Sequence, residues 1–184
     1  MPKQQYTPKT QSVFALVRKK RLSDSDRARV LMSTNNTNSS GMNVLHCFLA
    51  YAPFDEQLYD DMLASGHTLN SFTVGIEYSP FQSVLSCRPQ DTYAKCEWLL
   101  KHDCPLVKSN STHDLMRFMV ERAMPYAYVR RSHRDTDALD DGFVALMHQL
   151  LAKGLIGTDL RPFAILDYRI KLEVLRCFGD VFTL

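Results

Sequence analysis

Apolar residues recur at helical spacing in short runs, and each run is closed by a turn. In residues 42–70 an apolar segment around Leu45 is followed by a break at Pro53 and by a second apolar run that ends at Gly66. Apolar positions three and four residues apart predict helices, while Pro and Gly predict their ends. This stretch therefore predicts two short helices joined by a turn.

The same pattern recurs in residues 79–107, where a proline stands at the start of the first helix and a second helix follows. Helix, break, helix and turn, repeated at about 35 residues, is typical of a helical solenoid, in which stacked pairs of helices bury a continuous core. We therefore predict an all-α fold, a short helix-turn-helix solenoid with divergent capping units.

The later part of the chain repeats the pattern less regularly. A helix is predicted from Thr112, as its N-cap, to about Met124, and apolar periodicity predicts two more helices at 143–153 and 170–178. Glycine follows each of the last two. Residues 125–142 are rich in charge and aromatic rings and form an atypical connection. We assign residues 41–184 to the repeat domain.

The segment before residue 41 is more polar and predicts a separate unit. Residues 1–10 contain two prolines and few apolar residues, which predicts a disordered N-terminus. Residues 11–40 predict a helical cap, with helices at 12–20 and 23–32, followed by a low-complexity polar linker at 33–40.

Short motifs in residues 41–108 identify the type of repeat. Asn43-Val44-Leu45-His46 opens the first unit, Met62-Leu63 ends it, and Gly66 and Asn70 follow. Ser79-Pro80-Phe81-Gln82 opens the second, and Trp98-Leu99-Leu100 ends it, with Asp103 where the first unit has its glycine. This pattern resembles the ankyrin-repeat family. The resemblance implies that Leu45 and His46 have a structural role, with the imidazole hydrogen-bonded to the backbone of the turn. It also implies that inter-repeat loops line a concave binding face.

Two loops carry the candidate partner-binding residues. The loop at 71–78 holds apolar and aromatic side chains in a position where a core is hard to form, and residues 125–134 place tyrosines beside arginines, a composition common in protein contacts. The candidates are Phe72, Val74, Glu77, Tyr78, Tyr126, Tyr128, Arg130 and Arg131. The alternative for the 71–78 loop, equally open on the sequence, is that its side chains cover the next helix pair.

Charge changes this picture little. The net charge is +2, and residues 1–41 hold eight Lys and Arg against two acids, whereas residues 42–108 hold four against eight. The run at 18–21 suits a solvated helix end, since basic residues complement the helix dipole. A dedicated nucleic-acid binder carries its basic excess along the folded surface, so nucleic acid is the alternative and a protein is the expected partner.

No pattern of residues marks a catalytic, metal or cofactor site. The five cysteines lack CxxC spacing, there is no phosphate-binding glycine loop, and the histidines are scattered singly. A zinc site from Cys96, His102 and Cys104 needs a fourth ligand from elsewhere. We therefore expect no metal and no cofactor. The alternative is an enzyme whose catalytic cysteine and histidine are distant in the sequence but adjacent in the folded protein.

The sequence also lacks the signals of membrane insertion and Sec-type export. No run approaches the roughly 18 apolar residues of a membrane span, and the first residues lack an apolar signal-peptide core. We expect a cytoplasmic protein, or one in a host cytosol if it is a secreted effector or viral. The function we expect is a non-catalytic protein-interaction module with a dedicated partner, such as an inhibitor of a host protein or a toxin-neutralising immunity protein.

Overall fold

The computed structural model describes residues 12–88, 91–129, 138–159 and 161–181, and the chain is mainly helical. The predicted disorder of residues 1–10 lies outside the described residues. The α-helices are α1 (Asp24–Leu31), α2 (Val44–Tyr51), α3 (Glu56–Ala64), α4 (Pro80–Cys87), α5 (Thr92–Lys101), α6 (Thr112–Phe118), α7 (Met124–Ala127), α8 (Asp141–Ala152) and α9 (Tyr168–Phe178). 3-10 helices lie at Val13–Arg18 and Arg161–Ile165, and a π-helical segment, Met119–Ala123, joins α6 to α7. Two short strands, β1 (Tyr128–Val129) and β2 (Ala138–Leu139), pair antiparallel.

Polar side chains fix the starts of α2, α4 and α6. The side-chain oxygen of the residue before each helix accepts a hydrogen bond from the backbone N–H three residues on, which satisfies a donor that the helix leaves unpaired. These capping residues are Asn43, Ser79 and Ser111, with N···O distances of 2.8, 3.2 and 3.2 Å. The cap of α6 is therefore Ser111, one residue before the predicted Thr112.

Helices α3, α5 and α8 all end in the same way. A residue with positive φ lies just after each helix. The backbone N–H of the next residue donates a hydrogen bond to the carbonyl five residues earlier, as in a Schellman motif. The positive-φ residues are Gly66, Asp103 and Gly154. The bonds run from His67 to Met62 (3.0 Å), from Cys104 to Leu99 (3.0 Å) and from Leu155 to Leu150 (2.9 Å). Asp103 thus adopts the conformation that glycine provides elsewhere.

The helices pack as two rows. The 3-10 helix at Val13–Arg18 contacts α2, α2 contacts α4, and α4 contacts the π-helical segment. In the second row α1 contacts α3 and α5 contacts α8, while the indole Nε1 of Trp98 on α5 donates to Asp60 on α3 at 2.9 Å. Each pair of helices therefore packs mainly on its neighbours in sequence.

One continuous apolar core lies between the two rows. Tyr59 is its largest fully buried side chain, and its hydroxyl donates to the carbonyls of Phe48 and Pro53 at 3.2 and 3.1 Å. The Tyr59 ring meets Trp98 edge-on, with centroids 5.4 Å apart. Aromatic pairs in this geometry add to the gain from burial, so the ring ties three helices together.

The predicted linker at 33–40 is part of an ordered turn that leads into α2. Thr37 forms a β-bridge with Asn43. The side-chain oxygen of Asn38 accepts from the backbone N–H groups of Ser40 and Met42 at 2.9 and 3.1 Å. Asparagine readily forms such local bonds in turns, so the polar composition of this segment reflects turn formation.

Helix α9 packs across the second row beside β2, through Ile170, Val174 and Phe178. The ring of Phe178 lies 4.8 Å from that of His148 on α8. No helix in the described part of the chain combines the length and the apolar character that crossing a membrane requires.

The contact between α5 and α8 gives a test of this packing. A Cβ at Gly142 would lie 2.3 Å from Cδ2 of Tyr93, whereas one at Gly157 would meet no atom within 4 Å. We expect Gly142→Ala to lower the free energy of unfolding by about 1–3 kcal/mol, because the ring must move within a packed interface. Gly157→Ala, the matched control, should change it by less than about 0.5 kcal/mol. Urea denaturation measures both, and equal effects would contradict this packing.

Candidate functional site

The backbone of residues 73–78, here called the 73–78 turn, forms a tight hydrogen-bonded loop before α4. The N–H of Thr73 donates to the carbonyl of Tyr78 (2.9 Å), and the N–H of Tyr78 donates to Oγ1 of Thr73 (2.8 Å). Gly75 and Glu77 have φ of 85° and 59°. The N–H of Val74 donates to the carbonyl of Ser40 in the preceding turn at 2.8 Å, so adjacent turns hold each other in place.

Two β-branched side chains project from the tip of the 73–78 turn. Val74 is 72% exposed and Ile76 is 70% exposed. Exposed apolar side chains on a fixed backbone are unusual at a loop tip, where polar residues prevail. Because few rotamers and no backbone freedom are lost on contact, such side chains suit a binding surface.

The other three candidates in this loop are more engaged with the protein itself. Phe72 is half-buried, and the ring of Tyr78 packs edge-on against Phe118 with centroids 5.4 Å apart. The carboxylate of Glu77 pairs with Lys108 in the next turn at 2.5 Å. Phe72 and Tyr78 thus support the turn, Glu77 links it to its neighbour, and Val74 and Ile76 face solvent.

Among the second group of candidates, Tyr126 lies near the opposite end of α4. Tyr126 is exposed near the end of α7, and its carbonyl accepts a hydrogen bond from the guanidinium of Arg88, which follows α4. Tyr128 in β1 is half-buried against the core. Arg130 and Arg131 lie outside the described residues. The 73–78 turn precedes α4, whereas Tyr126 lies near the residue that follows it, so the structure does not bring Tyr126 to the turn.

Other exposed side chains lie near Tyr126 and were not among the candidates. Tyr51, at the end of α2, is 56% exposed and lies beside the exposed Cys87 at the end of α4. The parallel alignment of α2 and α4 produces this grouping. An exposed tyrosine at the end of an otherwise apolar helix was the signal in the sequence.

His46 is fully buried between α2, the loop before the 73–78 turn and α4. Its Nδ1 lies 2.9 Å from Oγ of Ser71, and its Nε2 lies 2.7 Å from Oγ of Ser83. Burial lowers the pKa of His46 to about 4, because a charged imidazole loses its hydration there. Both ring nitrogens are occupied by hydroxyls, which supports a structural role.

Lys95 is a buried cation on α5. Its Nζ donates to the carbonyls of Leu49 (2.8 Å) and Ala52, at the end of α2. Burial lowers the pKa of Lys95 to about 8, with Asp91 opposing the shift. A lysine with a lowered pKa is a nucleophile candidate when it faces a cleft, but here the amine caps a helix of the preceding pair and is inaccessible.

The described residues offer little activated chemistry. Burial raises the pKa of Cys47 and of Cys104 to about 12, and it also raises that of Cys96, which disfavours the thiolate. Within the described ranges, no three His, Cys, Asp or Glu side chains gather closely enough to hold a metal ion. Cys96 and Cys104 of the zinc hypothesis are both packed in the core.

The basic run at 18–21 lies at the end of the first 3-10 helix and is exposed. Lys19 donates to the carboxylate of Asp26 at 2.8 Å, and this bond, with those from Ser23, lowers the pKa of Asp26 to about 2. Lys19, one of the four basic residues in this run, therefore links the end of the 3-10 helix to α1.

Neutral His46 makes the fold sensitive to acid. Its folded-state pKa of about 4 lies below its ordinary value of 6.5, so the unfolded chain binds more protons between these values and stability falls as the pH falls through this window. We expect the difference in unfolding free energy between the wild type and His46→Gln to shrink by about 2 kcal/mol from pH 7 to pH 4.5. Urea denaturation at both pH values measures it, and a difference independent of pH would contradict the assignment.

Lys95 has the same dependence in an alkaline window. Its folded-state pKa of about 8 lies below its ordinary value of 10.5, so the unfolded chain binds more protons between them and this residue's contribution to stability rises with pH across that window. The stability of the wild type relative to Lys95→Met should therefore increase from pH 7.5 to pH 10. Comparing the two proteins cancels the titration of tyrosines and cysteines. A constant difference would show that the amine is not desolvated.

The structure thus provides an exposed apolar turn on a rigid helical scaffold, together with buried polar residues that have structural partners. Comparison with family models, with curated proteins and with solved structures finds no significant match for this chain. Function must therefore be inferred from the geometry of these surfaces.

Proposed function

We propose that this chain is a divergent ankyrin-like array that acts as a non-catalytic protein-interaction module with a dedicated partner. The observation that carries the proposal is the pair of exposed apolar side chains, Val74 and Ile76, at the tip of a hydrogen-bonded turn between two helix pairs. A stacked array of this kind presents an extended surface and needs no active-site cleft.

Several repeated contacts support the ankyrin-like assignment. Asn43 and Ser79 open successive units, and each side chain donates to a carbonyl in the loop that follows its own helix pair, at 2.7 Å to Thr68 and 2.8 Å to Leu106. The buried His46 links two adjacent units through the hydroxyls of Ser71 and Ser83, where the resemblance implies a bond to the backbone of the turn. The units thus repeat in their hydrogen bonds as well as in sequence.

The chemistry of the turn favours a protein as the partner. Val74 and Ile76 offer apolar contact area, and the nearest charges, Glu77 and Lys108, pair with each other. Nucleic acid would require unpaired cations along the surface. Burying a Val or Ile side chain contributes about 1.5–3 kcal/mol, so two such anchors are sufficient to decide whether a partner binds.

The state of the cysteines supports a reducing compartment, and we propose that the protein acts in the cytosol. All five cysteines are free, and three of them, Cys47, Cys96 and Cys104, are buried in the core. Extracellular proteins of this size usually use cysteines in disulfides.

The test is a comparison of Val74→Ser/Ile76→Ser with Met32→Ser. Met32 is 83% exposed at the end of α1 and is not part of the 73–78 turn. A partner captured from source cells by the wild type, then purified, should bind the double variant at least about tenfold more weakly and the control unchanged. Calorimetry gives the affinities, and thermal unfolding confirms that both variants fold. Equal affinity of the wild type and the double variant would overturn the proposal.

A further inference from the structure

Helix α9 has two apolar faces, of which only one packs against the protein. Ile170, Val174 and Phe178 are buried, whereas Tyr168, Leu172 and Leu175 are 71%, 48% and 52% exposed. Positions four and seven residues apart lie on one side of a helix, so the three exposed side chains form a continuous row, here called the α9 stripe.

Isolated exposed apolar residues are ordinary on a protein surface, but a continuous row is not. The side chains of the stripe are not among those that pack against the core, whereas Ile170, Val174 and Phe178 are. The stripe therefore has the character of a surface that a second molecule covers.

Basic residues border the α9 stripe on both sides. On a helix with about 100° between residues, Lys171 lies on one side of the stripe and Arg176 and Arg169 on the other. The single acidic residue of the helix, Glu173, lies nearer the buried face, and its side chain is 16% exposed. It accepts a hydrogen bond from Arg176, whose side chain is 64% exposed. Lys171 donates to the carbonyl of Ala164 at 2.8 Å.

This border of charge identifies the kind of partner. In a pair of α9 helices from two copies of the chain, parallel or antiparallel, basic edges would face basic edges, which disfavours self-association. An acidic edge would complement both sides. The short row of anchors at helical spacing matches the apolar face of another helix, as in helix-in-groove recognition.

We propose that the α9 stripe docks an amphipathic helix of a partner protein that carries large apolar residues at four- and three-residue spacing between acidic residues. This site is separate from the 73–78 turn, since α9 packs on β2 and α8 whereas the turn precedes α4. It does not depend on the function proposed for that turn.

The test uses two synthetic helical peptides with the same leucine positions. One has glutamate and the other lysine on both sides of the leucine row. Fluorescence anisotropy with the full chain should show saturable binding of the glutamate peptide at least about tenfold tighter than of the lysine peptide. Leu172→Ser/Leu175→Ser should abolish the binding, and Lys171→Glu/Arg176→Glu should reverse the preference. Met32→Ser is the control, and thermal unfolding checks each variant.

Four outcomes would overturn the proposal. Failure of the glutamate peptide to bind, or equal binding of both peptides, would remove the acidic helix as the ligand. If the wild-type chain failed to bind the peptide but floated with phosphatidylglycerol vesicles, and Leu172→Ser/Leu175→Ser abolished that flotation, the stripe would be assigned to an anionic membrane surface. If analytical ultracentrifugation showed the wild type as a dimer and the same variant as a monomer, the stripe would be assigned to self-association. Val74→Ser/Ile76→Ser should leave peptide binding unchanged, so the two surfaces are tested independently.

Discussion

The imidazole of His46 is the contact on which the order of the helix pairs depends. It is fully buried on α2, and its two nitrogens meet Ser71 in the following loop and Ser83 on α4. A buried polar group without partners is costly, so the apolar core alone does not determine how α2 meets α4. Only the arrangement that brings both hydroxyls to the ring avoids this cost.

Lys95 imposes a similar constraint from the other row. Its amine on α5 reaches across to two carbonyls at the end of α2, groups that the helix leaves without internal partners. Apolar side chains tolerate small shifts along a helix, whereas these hydrogen bonds do not. Buried polar residues therefore fix the register between pairs, and the apolar residues supply most of the favourable free energy.

Local signals in the sequence predicted the helices well, because caps and turns act through neighbouring residues. Ser79 with Pro80 marks the start of α4, and Gly66 marks the end of α3. The structure also confirms a mainly helical fold. The sequence did not reveal the π-helical segment, the β1–β2 pair or the role of Lys95. The packing of Tyr78 on Phe118 matches the alternative in which the loop covers the next helix pair. The strand pairing and the contacts of Lys95 depend on residues that are distant in the sequence.

The first and last α-helices of the described residues, α1 and α9, differ in the polarity of their exposed faces. A helix face that the rest of the protein leaves uncovered is usually polar, because a large exposed apolar patch promotes association. Helix α1, with the sequence DSDRARVL, has such a polar face: its charged residues face solvent or pair with neighbours, as Arg27 does with Asp55. Helix α9 exposes Tyr168, Leu172 and Leu175 instead. Solubility would favour polar residues at these three positions, as it does in α1. The packing of α9 on the core does not require apolar side chains there. Contact with another molecule best explains why the three residues are apolar.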